Sequence, residues 1–230
     1  MADYKDIKGG TIQNFAGDPP APINGQVWYD STAIAFQYRT VSPAGSWATG
    51  NNMNTIRAAI GGAGTQTAAI AIAGQSPNKT NVETYDGTSW TEVADVNSAR
   101  NDLGGSGTQT AALAFGGEPV TANTEQWDGS SWTEVGDLND SRYGLGGNSI
   151  GTNTAALAAG GFSPAITDNT ESWNGTSWTE VNDLNTGRQE MGAGGTTTAG
   201  LAFAGYTGSY SAATEEWNAP SSSSETITTS

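Results

Sequence analysis

The segment Thr124-Glu125-Gln126-Trp127-Asp128-Gly129-Ser130-Ser131-Trp132-Thr133-Glu134-Val135 reads as two short strands joined by a turn. Asp-Gly or Asn-Gly between aromatic, alternating runs is a strong hairpin signal, because these residues reach positive φ at low cost. The same turn recurs as Asp86-Gly87 and Asn174-Gly175. Working outward, Trp47, Trp90, Trp132 and Trp178 are separated by 43, 42 and 46 residues, and Arg57, Arg100, Arg142 and Arg188 step by the same 43, 42 and 46. A register held at two residue types over three steps is that of a repeat. A period of roughly 40–50 residues with Gly and aromatic landmarks predicts a propeller or solenoid, in which one unit cannot bury its own faces.

Upstream of the hairpin, Leu103-Gly104-Gly105-Ser106-Gly107 and Ala111-Ala112-Leu113-Ala114-Phe115 flank a polar turn near Thr108-Gln109, and a loop from Glu118 to Asn123 follows Gly116-Gly117. Each unit is therefore predicted to be a four-stranded antiparallel meander, and the fold class all-β. The first strand carries Gly61-Gly62, Gly104-Gly105, Gly146-Gly147 and Gly192-Ala193. Its small side-chain volume suits the innermost position, where units converge. A second set, Ala73-Gly74, Gly116-Gly117, Gly160-Gly161 and Ala204-Gly205, closes the second strand at a predicted bulge or tight exit. Gly104 to Gly107 lacks the following helix and Lys of a phosphate cradle, so no nucleotide site is expected.

Leu, Ile, Val and Phe total 31 of 230 residues, a scarcity that elsewhere marks disorder. Here the repeats override that prior. Eight Trp and seven Tyr supply large apolar faces, and 32 Gly let backbones approach closely. Tyr85 with Trp90, Trp127 with Trp132, and Trp173 with Trp178 bracket the hairpins, and Trp217 stands in the last unit. With Trp47 they are expected to glue neighbouring units together. Glu83, Glu125, Glu171 and Glu215 each lie two residues before the aromatic of the third strand, and the four Arg make up half of the eight basic residues. A guanidinium holding a carboxylate or backbone carbonyls would tie each inter-unit loop to its sheet.

The formal net charge is -15, which argues against a nucleic-acid partner. There is no His and no Cys, so triad and thiolate chemistry and the usual zinc or copper ligand sets are excluded. The region Asp137 to Asp140 lacks the Asp-x-Asp-x-Asp-Gly spacing of a calcium loop. No catalytic residue, cofactor or metal is expected, and the chain reads as a non-enzyme. Met1 to Lys8 has no apolar core of a signal peptide, and no run of 18 apolar residues exists, so neither secretion through a signal nor membrane insertion is expected.

With these residues in place the unit resembles a kelch repeat: Arg, then Gly, a short apolar strand ending in Gly-Gly, Glu-x-aromatic-Asp or Asn, and a downstream Trp. The resemblance implies a β-propeller with four-stranded blades. Kelch propellers usually have six or seven blades, whereas four units are recognisable here. The first Trp segment, Ser46-Trp47-Ala48-Thr49, has the phase of a fourth strand, and the last unit stops at Glu215-Glu216-Trp217, a third strand. Pairing the two would close a ring of four blades. The alternative uses Gln26 to Tyr29 and Ala33 to Arg39 as further strands, with Ser223 to Thr229 finishing a blade, and gives five.

Gly25-Gln26-Val27-Trp28-Tyr29-Asp30-Ser31-Thr32 resembles a short hairpin motif of bacteriophage tail, fibre and other virion proteins. The expected organisation is an extended N-terminal arm over 1–24, a β-hairpin over 25–44, the kelch-like propeller over 45–219, and a Ser/Thr-rich tail or edge strand over 220–230. The function expected is that of a phage virion structural protein, tail- or fibre-associated, assembled in the host cytoplasm and released by lysis. Its arm would dock on other virion proteins, with a homo-oligomer in the assembly, and its propeller would contact a host-surface glycan or protein. The alternatives are a cellular kelch-type protein- or glycan-binding scaffold and a capsid decoration protein. Loops 118–123, 163–169 and 206–212 vary in sequence between units and are the candidate contact surface, with Glu118, Pro119, Ser163, Pro164, Asp168, Tyr206 and Tyr210 as candidate residues.

Overall fold

The computed structural model describes residues 13–17, 19–20, 26–38, 47–75, 77–145 and 150–220. It is all-β and divides into two compact units, residues 1–49 and 50–230. In the first unit, β1 (Gln13–Phe15) runs parallel to β2 (Val27–Asp30), which forms an antiparallel hairpin with β3 (Ala35–Tyr38). The segment expected as an extended arm thus contributes a strand to the hairpin's sheet. Asp30 fixes the corner: its Oδ1 accepts the backbone N–H groups of Gly17, Thr32 and Ala33. The strands considered for a fifth blade form this separate sheet.

In the second unit the repeats are small antiparallel sheets. The first is β4 (Gly61–Thr65), β5 (Ala68–Gly74), β6 (Lys79–Tyr85) and β7 (Trp90–Val93), in that order. The second is β8 (Gly104–Thr108), β9 (Ala111–Phe115), β10 (Thr124–Trp127) and β11 (Trp132–Glu134). The third has three described strands, β12 (Ala156–Ala159), β13 (Thr170–Trp173) and β14 (Trp178–Glu180), and Gly146-Gly147 lies outside the described residues. The fourth is β15 (Gly192–Thr196), β16 (Ala199–Phe203) and β17 (Thr214–Asn218).

The hairpin turns differ from the two-residue type. Four residues separate Trp127 from Trp132, and only the Gly takes positive φ: Gly87 at 92°, Gly129 at 95° and Gly175 at 93°. The preceding Asp or Asn instead receives backbone N–H groups two and three residues on, as Asp128 Oδ1 does from Ser130 and Ser131 at 2.8 Å. This local acceptor replaces the ladder bond that a tighter turn would have made. At the exit of the second strand both residues of each pair are left-handed, including Ala73 and Ala204, which explains why Gly fills six of the eight positions.

Neighbouring sheets are joined through the aromatics. Trp132 of the second sheet packs with Ile70 and Ile72 of the first and donates its Nε1 to Ala94 O. Trp178 of the third sheet packs 4.9 Å from Phe115 of the second and donates to Thr124 Oγ1. The paired rings within sheets lie at 5.1 Å (Tyr85–Trp90), 5.4 Å (Trp127–Trp132) and 5.4 Å (Trp173–Trp178). First strands also touch: a Cβ added to Gly105 would stand 2.9 Å from Gly62 N.

Trp47 belongs to the first unit, residues 47–50 form no strand, and β17 pairs with β16 alone among the described strands. Residues 221–230, including the proposed finishing strand, lie outside the described residues.

Candidate partner-binding face

The four Arg residues are buried, and each lies beside the Glu of its unit. The ion pairs are Arg57–Glu83 at 3.2 Å, Arg100–Glu125 at 2.9 Å, Arg142–Glu171 at 3.0 Å, and Arg188–Glu215. Arg100 also donates to Gly116 O and Asn123 O, and Arg188 to Ala204 O and Ala213 O. Burial pulls Arg57, Arg100 and Arg142 below the ordinary guanidinium range, opposed by the adjacent carboxylates. Burial pushes Glu215 up, but hydrogen bonds from Asn185 and Arg188 outweigh it and hold it below the usual carboxylate value.

A third member of this network escaped the sequence reading. Asn54, Asn97, Asn139 and Asn185 each give both a backbone N–H and Nδ2 to the Glu of the unit. Each stands three residues before the Arg, so an Asn-x-x-Arg signal was present four times. With these donors in place the Glu series is occupied as structural acceptors, which leaves little for acid–base work.

One cavity gathers all four repeats. Ala59, Asp102, Gly144 and Glu190, each two residues after the Arg, line a space of about 220 Å³ together with Ile60, Leu103, Leu145 and Met191. All four have positive φ, between 49° and 64°. Their backbones form a run: Asp102 N donates to Ala59 O, Gly144 N to Asp102 O, and Glu190 N to Gly144 O, at 2.8–2.9 Å. Non-glycine residues pay roughly 1–2 kcal/mol for this conformation, which the run of bonds offsets. Burial, reinforced by Glu190 and Glu118, pushes the Asp102 carboxyl up. Residue identity differs at this position in every unit, so no sequence signal marks it.

The candidate loops lie at the same end. The residue before each cavity residue bridges to the loop after the second strand: Ala58 to Gln75, Asn101 to Glu118, Tyr143 to Phe162, and Gln189 to Tyr206. Glu118 is held by backbone bonds with Asn101, while Pro119 and Val120 are exposed. Ser163 is half-buried, and Pro164 and Asp168 are exposed. Tyr206 meets Tyr210 edge-on at 5.7 Å, and Tyr210 is exposed. The face therefore presents different residues from a common frame around a cavity that carries two carboxylates. Among the described residues, no group of three or more His, Cys, Asp or Glu side chains is placed to hold a metal ion.

Compared with known families and with curated proteins, the sequence matches no family model and no curated relative.

Proposed function

We propose that this chain is a bacteriophage virion structural protein, tail- or fibre-associated, with its repeats arranged as four kelch-like blades of a β-propeller. The fourth blade is completed by the strand that carries Trp47. The N-terminal unit attaches to other virion proteins, and the loops at 118–123, 163–169 and 206–212 contact a host-surface glycan or protein. The observation that carries this reading is the division of labour along the chain. The segment that resembles phage virion hairpins lies in a compact unit of its own, whereas the repeats hold a uniform frame under dissimilar loops. The convergence of four equivalent positions on one cavity supports a common axis.

Mass spectrometry and immunogold labelling of purified particles test the assignment. A fixed site and stoichiometry on the particle are the expected result, and a protein found only free in the host cytosol overturns it. A glycan array then separates the roles: carbohydrate-dependent binding lost on Tyr210→Ala supports host contact, and binding to no glycan or host surface assigns a decoration role instead.

A further inference from the structure

Three hairpins turn through the same geometry, and one of them carries a different functional group. Asp86 and Asp128 open the turns of the first and second sheets, and Asn174 opens that of the third. All three accept the same pair of bonds at Oδ1. Asp86 takes the backbone N–H groups of Thr88 at 2.8 Å and Ser89 at 2.7 Å, Asp128 those of Ser130 and Ser131 at 2.8 Å, and Asn174 those of Thr176 at 2.9 Å and Ser177 at 3.0 Å. The backbone N–H of each also donates to the carbonyl oxygen three residues on, at 3.2–3.3 Å. The residue that follows is Gly in every case, with φ of 92°, 95° and 93°. An anion suits the position: bonds from Ser131 and Ser130 lower Asp128 to about 2, and those from Ser89 and Thr88 lower Asp86.

Asn followed by Gly is also a pair that loses its side-chain amide without an enzyme, because Gly places no side chain in the way of its own nitrogen. The third turn meets the requirements of that reaction. The two bonds to Oδ1 fold the Asn174 side chain back over the Gly175 peptide, which brings Cγ toward the Gly175 nitrogen, and they draw electron density away from Cγ. Gly175 N donates no hydrogen bond among the described residues, so its proton is open to solvent base, and Asn174 is exposed. The leaving group, Asn174 Nδ2, lies 3.4 Å from Ser177 Oγ. Buried Trp173 and Trp178, paired across the hairpin, fix both ends of the turn.

We propose that Asn174 is a self-modifying site, at which the amide is hydrolysed to a carboxylate through a cyclic imide, so that the third hairpin acquires the anionic cap of the other two. Solvent base takes the Gly175 N–H proton, and the nitrogen attacks Cγ to close a five-membered ring. The Cγ–Nδ2 bond breaks, and Nδ2 leaves as ammonia with a proton from water. Water then opens the ring. Attack at Cγ breaks the new Cγ–N bond and yields aspartate, whereas attack at the main-chain carbonyl carbon yields isoaspartate; either way, water is consumed and ammonia released. The N–H groups of Thr176 and Ser177 point at Oδ1, so they polarise Cγ and direct water there. Isoaspartate would insert an extra carbon into the main chain of a turn whose ends are fixed at Trp173 and Trp178. The native turn therefore favours aspartate, in contrast with an unfolded chain, in which isoaspartate predominates.

Ageing of the full-length protein tests this. The folded chain is held at mildly alkaline pH and sampled over weeks by peptide mapping with mass spectrometry and an isoaspartate-specific methyltransferase. The expected result is conversion of the amide to an acid at residue 174, with aspartate in excess over isoaspartate, and the reverse ratio in the same protein unfolded in urea. Asn174→Asp supplies the reference: its peptide should elute with the converted one. The folded Asn174→Asp chain should unfold about 2 °C higher than the starting protein, because its cap bonds become charge-assisted. No conversion at residue 174 in the folded protein overturns the site. Isoaspartate in excess in the folded protein, or an Asn174→Asp chain that unfolds at a lower temperature, overturns the cap as the directing element.

Discussion

The second and fourth sheets carry the same pattern in different surroundings. Leu113 and Phe115 of β9 are 0% exposed, whereas their counterparts Leu201 and Phe203 of β16 are 38% and 41% exposed. Strand length, pairing register and the Gly that makes room for the Phe ring are alike, since Gly104 and Gly192 each stand where a Cβ would strike that ring. What differs is the neighbour. Phe115 has Trp178 of the following unit against it, and no further repeat follows the fourth sheet among the described residues. Burial in this fold is supplied by the next unit, as expected for repeats whose stability comes from interfaces.

The charged clamps offer the sharpest way to break that comparison. Arg100→Ala leaves Glu125 buried and unpaired and should cost about 3–5 kcal/mol, read as a shift in the urea midpoint. Arg188→Ala should cost less, on the order of 1–3 kcal/mol, because the Glu215 side chain is 13% exposed against 1% for Glu125, while both keep the bonds from their Asn. Equal losses at the two sites would mean that the end sheet is as closed as the middle one.

Phe115→Ala opens a cavity between two sheets and should cost about 3–4 kcal/mol, against about 1 kcal/mol for Phe203→Ala in the monomer. Calorimetry at low protein concentration checks this, and a matching loss at Phe203 would show that its face is covered. Gly105→Ala forces a methyl toward the Gly62 backbone and should cost about 1–3 kcal/mol. Gly194→Ala, with nothing within 4 Å of the added Cβ, should be close to neutral.

The smallest effect concerns the cavity shared by all units. The folded state holds Asp102 above its ordinary pKa. Its contribution is therefore fully present below the unfolded value near 3.8 and is lost as pH rises through the folded value. Asp102→Asn should stabilise the protein at pH 7 by about 0.5 kcal/mol or less after screening, with the gain fading below about pH 4. Asp128 runs the opposite way: backbone bonds from Ser131 and Ser130 lower it to about 2, so its support persists until the pH falls toward that value. A gain from Asp102→Asn that survives at low pH would trace to backbone conformation rather than charge.

Much of the repeat frame was legible. Equal steps between Trp and between Arg residues gave the unit, and the Glu two positions before an aromatic gave the clamp's partner, because these side chains act through fixed sequence distances within a unit and its neighbour. The Asn-x-x-Arg signal was equally available and was missed, since an Asn in a loop reads as turn chemistry until its acceptor is known. The shared cavity was not legible at all. Ala59, Asp102, Gly144 and Glu190 have only backbone conformation in common, and a backbone hydrogen bond needs no particular side chain.

By itself the sequence determined that the chain is an all-β repeat whose Trp, Arg and Glu belong to the frame, because periodic side chains must meet periodic surroundings. Only the tertiary structure decided which copies of the motif are satisfied. Leu113 and Phe115 of β9 are closed off while Leu201 and Phe203 of β16 stay partly exposed in the same strand pattern, because the partner of each side chain comes from another sheet and its presence is not encoded in the motif.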